Sequence, residues 1–208
     1  MNMTETMYIG SGDVAALMSG KGTKSHAALM QRFVSGVVPC HNAFASPIDA
    51  LRTGAILEER YMLTLPDNYL SQCKVVSEEM DVFKCSLDFA RIDDGKITDF
   101  DELKTMSLLD YLSMVEPIKD DNGALVEFAM KKHKAYYFQV QEQLFCTGLG
   151  SCNLVFLSVT SYDDEENWGR DIRDEEYCKV RISRDEDAIS LIKERGMIFQ
   201  QIRDFYIK

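Results

Sequence analysis

The chain has 208 residues, 46% of them hydrophobic and 27% charged, enough for one substantial core and too apolar for disorder. With 23 Lys and Arg against 34 Asp and Glu, the formal net charge is -11, which excludes a passive nucleic-acid coat protein but not an enzyme that gathers its cations on one face. The six cysteines are scattered without a CxxC pair, so reduced thiols in a cytoplasmic protein are expected; there is no basic-then-apolar leader, and no apolar run approaches the roughly 20 residues of a membrane span.

No repeat or linker breaks the chain, so a single domain over residues 1–208 is expected. In chain order, "SGDVAALMSG" offers Ser11 as a helix N-cap, Asp13 in the first turn and a stop at Gly20. "SHAALMQRFVSG" gives a second short helix. A third is marked by Ser46 as N-cap, Pro47 at the first helical position and Asp49 in the first turn, with Ile48, Leu51, Ala55 and Met62 as its buried side.

The period then changes to two. In "VFKCSLDFARI", Phe83, Cys85, Leu87 and Phe89 share one face, and Lys84, Ser86, Asp88 and Ala90 the other. "DDGK" is a hairpin turn with Gly95 at positive φ. On the returning strand "ITDFDELKTM", Thr98, Phe100, Glu102, Lys104 and Met106 point one way, and Asp99, Asp101, Leu103 and Thr105 the other. Helical stretches follow at "SLLDYLSMVE" and "KAYYFQVQEQLFCTG", then a strand "NLVFLSVT" and a charged loop. A terminal packing helix carries Ala188, Leu191, Ile192, Ile198, Phe199, Ile202 and Phe205, weakly interrupted by Gly196.

The chemistry is concentrated in the hairpin. An Asp on one strand and a Glu and a Lys on the next, all projecting to one side, make a hard-oxygen site with a cation beside it. Mg²⁺ takes carboxylate and carbonyl oxygens plus waters in octahedral geometry, and Asp88, Glu102 and the backbone carbonyl of Leu103 offer such ligands. Lys104 is placed to orient a water or to offset charge on a phosphate. The same residues also suit a solvated hairpin face, so the hairpin alone does not decide. No phosphate-binding glycine loop, dinucleotide fingerprint or Ser-His or Cys-His motif competes with it.

Five segments in order supply more: "YIGSGDVAAL", the Gly54-to-Glu58 GxxxE, "CSLDF", "FDELKT" and "AYYFQVQEQLFCTG". Together they resemble the phage lambda exonuclease (YqaJ-like viral recombinase) family of the PD-(D/E)XK nucleases, over most of the chain from about Ile9 onward. That resemblance implies an α/β fold with a restriction-endonuclease-like core, a central mixed sheet flanked by helices. It implies a Mg²⁺- or Mn²⁺-dependent exonuclease that digests linear double-stranded DNA, 5′ to 3′. A homotrimer and a single-strand annealing protein as partner are implied as well. Carried onto this sequence, Asp88 and Glu102 would bind metal, Lys104 assist the attacking water, Glu58 support a second metal or its waters, and Gln139 orient groups at the site. Ser11 matches the position that contacts the terminal 5′-phosphate, where anion binding at a helix start is physically sensible.

Three departures stand out. A small residue is usual after the first metal-binding Asp, where this chain has Phe89. Gln143 follows Gln139 in place of a Gln-x-x-x-Tyr spacing. No basic residue precedes Ser11, leaving Lys21, Lys24 or Arg52 to serve a phosphate. The choice between Gln139 and Gln141 is open, and Glu58, with Glu59 and Arg60 beside it, also suits a plain exposed helix face. Lys131, Lys132 and Lys134 form the densest basic run and are the expected DNA-backbone contact. Two other readings remain: an endonuclease or nickase on the same fold, and a non-catalytic acidic protein that mimics DNA or binds a recombination partner. Asp99 and Asp101, on the opposite face, are expected to be dispensable for cleavage.

Overall fold

The computed structural model describes residues 7–36, 48–159 and 170–207. Six strands form one mixed sheet: β1 (Ile9–Gly10), β2 (Tyr69–Val76), β3 (Phe83–Asp93), β4 (Lys96–Ser107), β5 (Ser151–Val159) and β6 (Tyr177–Ser183). The order is β1-β3-β4-β5-β6, with β2 also paired to β3. Helices α1 (Val14–Met18), α2 (Lys24–Ser35) and α3 (Ile48–Met62) precede β2. After β4 come the single turn α4 (Leu108–Asp110), an irregular helical run to Ile118, and α5 (Asn122–Lys132) and α6 (Lys134–Thr147). Helix α7 (Glu186–Ile207) closes the described chain. The expected α/β class with a central mixed sheet is the observed one. No described helix is long and apolar enough to cross a membrane.

Two apolar clusters lie on the sheet. The larger joins Cys85, Leu87, Ala90, Phe100 and Met106 of the sheet to Val140, Leu144 and Phe145 of α6 and Ile192 and Phe199 of α7. The smaller joins Leu57 and Tyr61 of α3 to Phe89, Leu103, Val155 and Leu157. Strand β4 alternates as expected. Strand β3 does not: Leu87 and Ala90 sit in the larger cluster while Phe89 packs in the smaller one, its ring 5.1 Å from that of Tyr61. The expected shared face of Phe83 to Phe89 is therefore corrected. The alternation slips by one residue at Asp88, and Phe89 fills the α3 side.

The hairpin forms as expected, with Asp94 and Gly95 both at positive φ (51° and 73°), the twist-matched two-residue turn. Gly36 and Gly148 stop α2 and α6 in the left-handed conformation. Ser11 is not an N-cap. It begins a 3-10 turn capped by Gly10, whose N–H donates to the Asp13 carboxylate (2.9 Å). On α3, Ser46 and Pro47 lie outside the described residues, as do the side chains of Ile48, Asp49 and Leu51. The buried stripe there is Thr53, Leu57 and Tyr61, four residues apart, and Ala55 is exposed. Strands β1, β2 and β6 and helix α5 are additions to the sequence reading.

Helix α7 runs through Gly196 without a break, burying Ala188, Ile192 and Phe199, whereas Ile198 and Phe205 face outward. Gly196 is required by packing: a Cβ there would overlap the ring of Phe83. Phe83 is itself wedged edge-on against Phe145 at 5.7 Å. Gly196→Ala is expected to lose about 1–3 kcal/mol through overpacking, more than the about 1 kcal/mol that Ala gains in helix propensity. Urea unfolding of the two proteins checks this.

Candidate active site at the fork of the hairpin

The site exists because β4 leaves β3. The two strands pair from Asp93↔Lys96 only as far as Phe89↔Asp101. From Asp101 onward β4 runs parallel with β5, through Lys104↔Phe156 to Ser107↔Val159. The start of β3 pairs instead with β1, at Phe83 and Lys84. Asp88 and Glu102 are thus the first residues past the end of the ladder. The backbone N–H of Leu103, freed from the ladder, donates to the Asp88 carboxylate at 2.9 Å. The N–H and C=O of one strand residue point to the same edge, so the Leu103 carbonyl opens on the same gap.

Glu102 is 1% exposed and receives three donors: Lys104 Nζ (2.7 Å) and Gln139 Nε2 on one oxygen, and Gln143 Nε2 (2.6 Å) on the other. Gln139 and Gln143 are one helical turn apart on α6 and so share a face. Gln139 is thus the one of the two candidate glutamines that contacts Glu102, while Gln141 turns away, accepting from Asp185 N–H and donating to the Ser183 carbonyl to hold the start of α7. Gln143 is the residue that the sequence reading passed over, and its i+4 spacing from Gln139 was the signal.

Glu58 accepts from Gln72 Nε2 (3.3 Å), and Gln72 in turn accepts from Ser86 Oγ (3.0 Å). Gln72 lies on β2 between the Ser71–Phe89 and Cys73–Leu87 pairs, across from Asp88. Its φ of 55° is rare for a residue with a side chain. No sequence signal marks it.

The electrostatics follow from crowding acids beside one cation. Burial, then Glu102, pushes the Asp88 carboxyl up to about 8, against the pull of Lys104 and the Leu103 N–H. Burial and Glu102 also raise Glu58. Burial disfavours the charge on Lys104, but Glu102 and Asp88 outweigh it and hold the ammonium above its ordinary pKa. The Lys104 Nζ lies 5.3 Å over the ring of Tyr136, which stacks flat on His133 (5.2 Å, 6°). These groups line a cavity of about 380 Å³ with Ser107, Asp110 and Met114. Lys131, Lys132 and Lys134, all exposed, flank His133; Lys131 is paired with Glu127, and Lys134 lies over Phe138 at 5.6 Å.

Ser11 opens on a second cavity, of about 320 Å³, lined also by Gly12, Arg32, Lys74, Lys84 and Ser86. Among the described residues the cations lining it are these three, and Lys21, Lys24 and Arg52 are not among them; Arg32 is paired with Asp13 at 2.5 Å. Ser86 connects the two regions, its hydroxyl leading to Gln72 and Glu58 and its carbonyl accepting from Gln143 (3.4 Å).

On the other face of β4, Asp101 is fully buried and accepts from Tyr61 Oη (2.7 Å), Asn153 Nδ2 (2.7 Å) and Lys179 Nζ (2.9 Å). Asp99 is gripped by Arg181 at 2.8 Å. Both acids point away from Glu102, as their register requires.

No family model and no curated protein matches this chain. Solved structures do. An alkaline exonuclease from Laribacter hongkongensis, LHK-Exo, superposes with a TM-score of 0.63 at 17% identity, covering 97% of this chain and 90% of its own. The same enzyme in complex with dAMP gives 0.61 at 20% identity, over 99% and 93%. A phage-related exonuclease from Haemophilus somnus gives 0.57 at 14% identity, over 96% and 95%. The mixed sheet with its flanking helices is, over nearly its whole length, the fold of these alkaline and phage-related exonucleases.

Proposed function

We propose that the chain is a metal-dependent deoxyribonuclease that degrades linear double-stranded DNA from the 5′ end. The observation that carries this reading is the convergence of Asp88, Glu102 and Lys104 where β4 leaves β3. The donor set fits a divalent cation such as Mg²⁺ or Mn²⁺. Asp88 and Glu102 are hard-oxygen ligands, with the Leu103 carbonyl on the same gap, and beside burial it is Glu102 that pushes the Asp88 carboxyl up, a repulsion that a cation would relieve. The amide oxygen of Gln143 is buried without a hydrogen-bond partner among the described residues, an acceptor suited to a water in the ion's shell. When bound, the ion supplies Lewis acidity and a water of lowered pKa.

The protein's own residues then have distinct tasks. Gln139 and Gln143 fix both oxygens of Glu102. Lys104 is positioned to offset charge on the phosphate or to orient the attacking water, and Glu58, tied to Gln72, supports the outer edge of the site. The Ser11 cavity, with Arg32, Lys74 and Lys84, suits a terminal 5′-phosphate, and the Lys131–Lys134 run beside the Lys104 cavity suits the DNA backbone. A homotrimer and a single-strand annealing partner belong to the same proposal.

The test uses end-labelled linear duplex with and without a 5′-phosphate, and closed-circular plasmid, each with Mg²⁺ and with a chelator. Metal-dependent loss of linear DNA, faster with the 5′-phosphate, supports an exonuclease. Cutting of the closed circle replaces it with an endonuclease or nickase. No metal-dependent cleavage of any substrate leaves only a non-catalytic acidic protein.

A further inference from the structure

The larger core holds a second group of metal-ligating side chains that the reaction does not use. Cys85 on β3 and Glu142 and Cys146 on α6 are 1%, 0% and 6% exposed, and one ligand atom from each lies within 4.8 Å of the others. Glu142 and Cys146 are one turn apart on α6, and Cys85 faces them from the sheet.

We propose that Cys85, Glu142 and Cys146 form a buried structural site for a thiophilic divalent cation, Zn²⁺ by its chemistry, distinct from the carboxylate cluster at Asp88 and Glu102. Two observations converge on it. The three ligand atoms are already gathered: tetrahedral zinc, with bonds of about 2.0–2.3 Å, sets its ligands roughly 3.3–3.8 Å apart, so only small side-chain shifts are needed. Glu142 also accepts from Cys146 Sγ on one oxygen (3.2 Å) while its other oxygen is buried with no partner among the described residues.

A buried acid with an orphaned oxygen is costly where an apolar residue would pack freely. Without a cation, burial pushes Glu142 up to about 8, and the contact of Cys146 with Cys85 together with burial raises the Cys146 thiol. Binding releases the two thiol protons and the carboxyl proton, leaving two thiolates and a carboxylate on the ion. Thiolate ligands select Zn²⁺ over Mg²⁺. The site would tie β3, three residues before Asp88, to α6, next to Gln143.

The experiment uses the full chain carrying Glu102→Ala, treated with chelator, so that metal at the carboxylate cluster is not counted. Co²⁺ is titrated in and the thiolate-to-cobalt charge-transfer absorption is followed. One equivalent giving this band, displaced by Zn²⁺ but not by Mg²⁺, is expected. Cys146→Ser should remove the band, and Glu142→Gln should weaken Co²⁺ binding at least tenfold. No band in the Glu102→Ala parent, shown to be folded by circular dichroism, or displacement by Mg²⁺, overturns the site. A band unchanged in folded Cys146→Ser, checked by circular dichroism, overturns it too. Nuclease activity enters none of these readouts, so the site and the proposed reaction stand or fall separately.

Discussion

Glu102→Gln is expected to remove at least about a thousandfold of the proposed Mg²⁺-dependent rate on linear duplex DNA, roughly 4 kcal/mol of transition-state stabilisation, while the protein stays folded. The substitution keeps the volume of a side chain that is 1% exposed. It deletes the charge on which a hard cation would depend and turns one oxygen into an NH₂ that faces either Gln143 or the Lys104 and Gln139 donors. That mismatch costs about 1–3 kcal/mol. Relief of the repulsion between Glu102 and Asp88 offsets part of it, because Glu102 is one of the causes that push Asp88 up to about 8. Turnover at saturating Mg²⁺ and a thermal melt of both proteins are the measurements. Retention of a tenth of the wild-type rate would show that Glu102 holds no essential metal.

Asp101→Ala, one residue away, should show the opposite signature: a stability loss of about 3 kcal/mol, with the rate of the folded enzyme within a few-fold of wild type. Removing one member of a buried, hydrogen-bonded charge group costs about 3–5 kcal/mol. The lower end applies because Lys179, 36% exposed, recovers water when its partner is gone. The Tyr61 hydroxyl does not, since Tyr61 is fully buried. Urea unfolding reads the loss, and a double-mutant cycle with Tyr61→Phe isolates the phenol's share. If Asp101→Ala is as stable as wild type but inactive, the faces of β4 are assigned the wrong way round. Asp101, set aside from sequence as dispensable for cleavage, is thus a support of the strand that carries Glu102.

What could be read in the sequence was what period and local chemistry encode. The alternation of β4 placed Glu102 and Lys104 together, and Asp94-Gly95 fixed the turn. Phe89 was misplaced because alternation assumes an unbroken pleat, and the pleat slips at Asp88, where the strand leaves its partner. Strand β6 went unpredicted although Cys178, Val180 and Ile182 alternate cleanly with Lys179 and Arg181, because the charged run before it reads as one long loop. Gln72 and the Cys85, Glu142 and Cys146 group had no local signal. Their neighbours are brought by the fold from other strands and helices, and no spacing along the chain announces such a meeting. Thr53 shows the same limit on α3, a polar residue buried where a hydrophobic stripe would predict Ala55.

The fork has a mechanical consequence. Asp88 and Glu102 stand on the two prongs of a wedge whose apex is the Phe89↔Asp101 pair, one prong braced by β1 and β2 and the other by β5. The distance between the two acids is therefore a property of the wedge angle and is insulated from the hairpin tip, which lies on the far side of the apex. Loop grafts at Asp94 and Gly95 leave that aperture alone. A single added rung of pairing past Phe89 would close it, and the acids with it.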